Sequence, residues 1–166
     1  MLSLKITLVG ERKIVKSSLI HRYINNSPLP SNNYYTTNYC KTKDKDNIRL
    51  NIWEVSDFIS IDLRKLAYPQ TNVFLCCFSM NDSVDKIKIW LDEINKYDCP
   101  ILLVGLKGDL PCEKNEFIKF ANENKMELMF TSCEIDWNIE QVFDKAVDMV
   151  FMERMVRVNR RRRCCL

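Results

Sequence analysis

Leu4-Lys-Ile-Thr-Leu-Val-Gly10 is continued by Glu11-Arg-Lys-Ile-Val-Lys16-Ser17. The first seven residues run apolar and β-branched into a glycine, which predicts a strand ending in a turn. From Lys16 to about Asn26, Leu19, Ile20 and Tyr23 recur at helical spacing, which predicts a helix. The alternation continues downstream. Val73-Phe-Leu-Cys-Cys-Phe-Ser79 and Ile101-Leu-Leu-Val-Gly105 are short apolar runs suited to strands buried on both faces. Glu127-Leu-Met-Phe-Thr131 reads as a further short strand. Between and after them, three helices are predicted. The first spans Asp82 to Tyr97, with Val84, Ile87, Trp90, Leu91 and Ile94 as its apolar stripe. The second spans Glu113 to Asn124. The third spans Ile139 to about Val158, with Val142, Phe143, Ala146, Val150 and Phe151 facing inward. Tyr39–Lys45 and Ile48–Glu54 flank a polar turn and read as a hairpin.

Strands alternating with helices predict an α/β fold: a mostly parallel six-stranded sheet with helices on both faces and one antiparallel edge strand supplied by the hairpin. Ligands of such sheets bind beyond the carboxyl ends of the strands. The loops after Val9, Trp53, Ser79, Val104 and Phe130 are therefore the places to look for a site.

The composition narrows the function classes. With 166 residues, 46% hydrophobic and 28% charged, the chain can bury a core and is not a disordered protein. No stretch approaches the roughly 20 apolar residues of a membrane span. No signal peptide is expected at the N-terminus. Eight cysteines without a Cys-x-x-Cys pair, and a single histidine, His21, argue against zinc and for reduced, cytosolic thiols. His21 and Met149, Met152 and Met155 suit surface or packing roles, and Cys76 and Cys77 suit small core hydrophobes. The net charge of +3 conceals a division. Six of the 25 basic residues are Arg154, Arg157 and Arg160–Arg163, with no acid after Glu153; the rest of the chain holds 19 bases against 22 acids. Glycine is scarce, at three residues, so any glycine-dependent loop must use Gly10, Gly105 or Gly108.

Gly10-Glu-Arg-Lys-Ile-Val-Lys16-Ser17 resembles a phosphate-binding P-loop in which Val15 stands at the second glycine. Tyr68-Pro-Gln-Thr-Asn-Val-Phe-Leu-Cys-Cys-Phe-Ser79 resembles the corresponding segment of Rho/Rac proteins. Leu106-Lys-Gly-Asp109 sits where small GTPases carry Asn-Lys-x-Asp, and Thr131-Ser-Cys133 where they carry Ser-Ala. In this order the motifs run from residue 4 to about 155. The chain thus resembles a divergent Rho-like member of the Ras superfamily with degenerate nucleotide-binding motifs, lacking the helical insertion typical of Rho proteins.

The resemblance implies a P-loop small-GTPase fold over residues 1–155, a polybasic tail over 156–166, and GTP/GDP with Mg²⁺ as ligands. Phosphate would meet Gly10, Lys13, Ile14, Val15, Lys16, Ser17 and Ser18. The base would meet Lys107, Asp109, Ser132 and Cys133, with Pro28 or Leu29 where the family has an aromatic residue. Ser17, Thr37 and Glu54 would hold the metal. Val15 is an outlier if its position needs a positive φ. In the second switch, Trp53-Glu-Val-Ser-Asp-Phe-Ile59, Asp57 replaces the glycine whose amide meets the γ-phosphate. Phe58 replaces the glutamine that orients the attacking water. Phenylalanine has no donor or acceptor, so no catalytic residue is intact and hydrolysis is expected to be slow or absent. Leu106 replaces an asparagine that ties the site to the P-loop.

Arginines before Cys164-Cys165-Leu166 resemble a lipid-anchored tail, with both cysteines as acceptors and an anionic membrane as partner through residues 154–166. Effectors and regulators would bind through residues 31–42 and 54–68, and the protein would work at the cytosolic face of a membrane. Nucleic acid is not expected as a partner, since the body offers no basic face. Each segment alone also has a plainer reading: a strand–turn–helix junction with a solvated lysine at 10–17, a turn at Gly108-Asp109, a solvated basic tail with free thiols. Two functions follow, a guanine-nucleotide switch, or a pseudo-GTPase that binds no nucleotide and acts as a protein scaffold.

Overall fold

A computed structural model describes residues 1–12, 15–29, 38–43 and 47–164, with the backbone alone for 38, 43 and 161–164. Lys13, Ile14, Thr37 and Cys165 lie outside the described residues, as does 31–37 of the expected effector segment. Six strands and five α-helices follow one another as β1 (Leu2–Val9), α1 (Lys16–Asn25), β2 (Asn38–Lys43), β3 (Ile48–Glu54), α2 (Ile61–Ala67), β4 (Val73–Ser79), α3 (Val84–Ile94), β5 (Ile101–Leu106), α4 (Asn115–Glu123), β6 (Glu127–Thr131) and α5 (Ile139–Cys164). A short 3₁₀ turn, Asn95–Tyr97, extends α3.

The strands form one sheet in the order β2-β3-β1-β4-β5-β6. All neighbours are parallel except β2 and β3, which pair antiparallel with Tyr39 opposite Ile52 and Lys41 opposite Leu50. β4 is buried along its whole length, which is why its sequence is apolar without alternation. Side chains alternate across a strand, so β4 feeds two cores. Val73, Leu75 and Cys77 join Leu19, Ile20 and Tyr23 of α1 and Val142, Phe143 and Ala146 of α5 on one face. Phe74, Cys76 and Phe78 join Ile87, Trp90 and Leu91 of α3 and Phe117 and Phe120 of α4 on the other. The helices thus cover both faces, and β1, β3, β4, β5 and β6 all end at the same edge.

Two elements differ from the sequence-based expectation. α2 has no buried residue, and Ile61, Leu63 and Leu66 are exposed, so it has no core-facing stripe to detect. α5 runs to Cys164, beyond Val158, because the arginine-rich segment contains no glycine or proline to stop it. Arg157 fixes the helix to the body, its Nη2 donating to Asp98 O at 2.5 Å and pairing with Asp98 Oδ2 at 3.1 Å.

The Tyr68-Pro-Gln segment is structural. Tyr68 is fully buried, and its hydroxyl donates to Glu93 Oε1 at 2.6 Å. Arg64 donates to both carboxylate oxygens of Glu93, at 3.1 and 2.7 Å, and lies over the Trp90 ring. Burial, then the Glu93 carboxylate, pushes the Tyr68 hydroxyl pKa up. Lys5 Nζ closes the same corner by donating to Ala67 O and Pro69 O at 2.6 and 2.9 Å.

Candidate functional site

The turn after β1 is built by an unusual backbone. Gly10 has φ 147° and Val15 has φ 63°, ψ 27°, with Val15 as the N-cap of α1. Left-handed backbone is where glycine is ordinarily found and where a β-branched residue is strained. The expected outlier at Val15 is therefore present. The strain persists because helix α1 begins there, Leu19 N–H donating to Val15 O at 3.0 Å.

Lys16 is 2% exposed. Its Nζ donates to Gly10 O at 2.9 Å and Glu11 O at 2.6 Å, so the ammonium sits under the loop rather than in solvent. Burial lowers its pKa, while the nearby charges of Glu54, Asp57 and Glu11 act against that shift. The plain junction with a solvated lysine is thereby excluded. Ser17 Oγ donates to Glu54 Oε1 at 2.9 Å across α1 and β3. Burial raises the Glu54 pKa, and the Ser17 hydrogen bond and the Lys16 charge partly restore it. A hydroxyl and a carboxylate oxygen thus converge beside the buried lysine, which suits a hard, oxygen-seeking cation such as Mg²⁺. No cluster of three His, Cys, Asp or Glu capable of holding a metal occurs among the described residues. A magnesium ion here would draw its remaining ligands from phosphate and water.

Asp57 does not swing away from the loop. Its Oδ1 accepts the Arg12 backbone N–H at 2.6 Å. Phe58, next to it, is 78% exposed and contributes no polar group to the site. On the other side of the loop, Lys86 of α3 pairs with Glu11 Oε2 at 2.7 Å and Asp82 Oδ1 at 3.2 Å, and Asp82 Oδ2 accepts Ser79 N–H at 2.7 Å. This tie between the loop and the end of β4 has no counterpart in the sequence reading, because 75 residues separate Glu11 from Lys86.

The loops after β5 and β6 enclose a cavity of about 440 Å³, lined by Lys107, Asp109, Ser132 and Cys133 together with Val15, Ser18, Pro28 and Leu29. That volume is within the range of small-molecule sites. Lys107 has φ 61°, and Gly108 N–H donates to Thr131 O at 2.9 Å, joining the two loops. A Cβ on Gly108 would lie 3.0 Å from the Trp137 ring. Thr131 Oγ1 donates to Trp137 O at 2.7 Å, and Ser132 and Trp137 exchange two backbone hydrogen bonds. Arg22 reaches from α1 to donate to Cys133 O at 2.9 and 3.3 Å, another connection that sequence patterning missed. Burial pushes the Cys133 thiol up to about 11, so it is not a nucleophile at neutral pH. Leu106 is wholly buried, so its side chain offers the site nothing. His21, expected on the helix surface, is half-buried, its Nδ1 3.0 Å from Ser27 O.

Of the described sequence-predicted residues, Gly10, Val15, Lys16, Ser17, Ser18, Glu54, Lys107, Asp109, Ser132 and Cys133 therefore gather at one edge of the sheet. The donor set fits a phosphate chain over a buried lysine, a cation at Ser17 and Glu54, and a planar base in the cavity.

Comparison with known proteins agrees with that chemistry. The Ras family model matches residues 5–152. The chain is 30% identical over 161 residues to a "GTP-binding RHO-like protein" of Candida albicans (strain WO-1), covering 88% of this chain and 46% of that protein. It thus spans about half the length of that relative. It is 29% identical over 180 aligned positions to the "Ras-like GTP-binding protein RhoL" of Drosophila melanogaster, covering 97% of this chain and 93% of that one. It is also 29% identical to the "Rho-related GTP-binding protein RhoV" of Homo sapiens, covering 88% and 73%.

Proposed function

Because this chain belongs to the Ras family, as a divergent Rho-like small GTPase, we propose that it is a guanine-nucleotide switch of slow or absent hydrolysis that works at a membrane. The observation that carries the nucleotide reading is the convergence of Lys16, the Ser17–Glu54 pair and the Asp109 cavity at one sheet edge. A bound nucleotide would supply the phosphoryl chain, and Mg²⁺ would neutralise its charge. Lys16 grips phosphate, with Gly10, Val15, Ser17, Ser18, Lys13 and Ile14 forming the cradle. Ser17, Glu54 and Thr37 hold the cation. Asp109 accepts two hydrogen bonds from guanine and Lys107 covers the ring. A carboxylate that pairs with guanine and is left unpaired by adenine selects against adenine. Hydrolysis is slow because Phe58, exposed and apolar, cannot orient water.

The tail supports the membrane reading. Helix α5 carries exposed Phe151, Met152, Met155 and Val156 on one side of its outer turns, with Arg154 on the other, while Arg157 is engaged by Asp98 and Glu153. An apolar stripe beside arginines suits an anionic lipid surface, each arginine contributing about 1 kcal/mol. Cys164 and Cys165 are the proposed lipid acceptors, and the cytosolic face of a membrane the proposed location. Exposed Phe58, Ile61, Leu63 and Leu66 give residues 54–68 an apolar face for effectors and regulators, which would also use residues 31–42.

The second reading, a pseudo-GTPase that binds no nucleotide and acts as a scaffold, is favoured by the strained Val15 and the buried Leu106. Titration of fluorescent GDP with Mg²⁺ separates the two. Saturable binding lost in Lys16→Ala and Asp109→Ala supports the switch. No binding up to near-millimolar nucleotide leaves the scaffold.

A further inference from the structure

The contact between Asp57 and Arg12 bears on which nucleotide the site prefers. The loop after β1 has two ends. Val15 and Ser18 line the base cavity, whereas Arg12, three residues upstream of Val15, does not. The upstream end is where Asp57 docks, its Oδ1 accepting the Arg12 N–H at 2.6 Å. Loops of this kind bind anions through their backbone amides. A carboxylate oxygen on one of them stands where a phosphate oxygen would stand.

The position of Asp57 is not accidental to a loose loop. Val55, two residues earlier, is buried, and its N–H donates to Leu8 O at 2.9 Å. Ile59 N–H donates to Ser56 O at 3.2 Å, closing a tight turn around Asp57. The opposing side of the loop is held by the Lys86–Glu11 pair at 2.7 Å. Asp57 and the loop are thus each fixed before they meet. The charge of Asp57 also reaches Lys16, the phosphate grip.

We propose that Asp57 is a specificity-determining residue, whose carboxylate occupies the terminal-phosphate end of the loop so that the site selects a nucleoside diphosphate over a triphosphate. This rests on the nucleotide reading given above. A diphosphate leaves the Asp57–Arg12 hydrogen bond in place and uses Lys16 and the downstream amides. A triphosphate brings a further anion to the same amide. It must break that bond and lie beside a carboxylate, and like charges at hydrogen-bond range repel even at a solvent-exposed contact. Asp57 would then bias the protein toward its diphosphate form without any partner.

The test is calorimetric titration of the full chain with GDP and with GTP in Mg²⁺, for wild type, Asp57→Asn and Asp57→Gly. Asn keeps an acceptor for Arg12 N–H but removes the charge; Gly removes both. Asp57 is exposed, so neither change disturbs the core. Wild type is expected to bind GDP at least about tenfold more tightly than GTP. Both variants are expected to bring that ratio within about threefold by tightening GTP, with GDP affinity moved less than the GTP affinity. Equal affinities in wild type, or a GDP preference that survives both substitutions, overturns the role of Asp57 while leaving the nucleotide site standing. Failure of all three proteins to bind either nucleotide overturns the nucleotide reading and this inference with it.

Discussion

Replacing Val15 by glycine and by alanine gives two proteins whose order of stability the backbone dictates. Val15 has φ 63° and ψ 27°. A side chain in that left-handed region costs roughly 1–2 kcal/mol, because Cβ crowds the following carbonyl. Both substitutions lose the contacts that the half-buried valine makes with the core formed by β1, α1 and α5, so packing nearly cancels between them. What remains is the Cβ penalty, which favours glycine, set against the larger chain entropy of glycine in the unfolded state, about 0.5–1 kcal/mol, which favours alanine. Glycine is therefore expected to be the more stable by about 0.5–1 kcal/mol, or some 1–4 °C in melting temperature for a domain of this size. Urea unfolding of both variants, with equal m-values, measures the difference. A right-handed backbone inside the helix would give the opposite order, with alanine ahead by close to 1 kcal/mol. An alanine variant as stable as the glycine variant, or more so, would refute the reasoning.

Other substitutions probe the rest of the framework. Gly105→Ala places a Cβ 2.5 Å from Phe130 Cδ1 and 3.2 Å from Phe78 Cζ, both ring atoms in the core, and is expected to destabilise by about 1–3 kcal/mol in denaturant titration. Glu93→Ala strips the partner from half-buried Arg64 and buried Tyr68 and should cost roughly 3–5 kcal/mol, whereas Tyr68→Phe, which leaves the Arg64–Glu93 pair intact, should cost about 1 kcal/mol. Burial raises the Glu54 pKa above its ordinary 4.5, so the nucleotide-free folded state holds a proton that the unfolded chain has released. Stability then falls as pH rises from about 4.5 through the folded-state value. Glu54→Gln removes that slope, so it should unfold at higher temperature than wild type at pH 7 and match it below about pH 4.5.

β4 begins and ends where its apolar run does, because a strand buried on both faces has no polar positions to blur its ends. β3 was legible for a different reason, its buried Ile48, Leu50 and Ile52 alternating with more exposed neighbours. Helix α2 escaped because its apolar residues face solvent; only Ser60 at its start, Asp62 in its first turn and Arg64 and Lys65 in its last marked it. The site divides in the same way. Lys16, Ser17, Glu54 and Asp109 were legible because each stands at the end of a strand or just past the loop that follows one, in a recognisable order. The ties that give the site its character were not, since they join residues far apart in the chain: Arg12 with Asp57, Glu11 with Lys86, and Arg22 with the Cys133 carbonyl, 111 positions away. Val15 shows the middle case. Its identity raised the question of a positive φ, and only the backbone answered it.

Competition between GDP and ADP, in Mg²⁺ and read by displacement of fluorescent GDP, tests whether this edge of the sheet holds a guanine nucleotide. GDP is expected to displace the probe at least about tenfold more effectively than ADP, with the preference abolished in Asp109→Ala. Equal displacement by the two purines, or no saturable binding of the probe at all, would contradict the account.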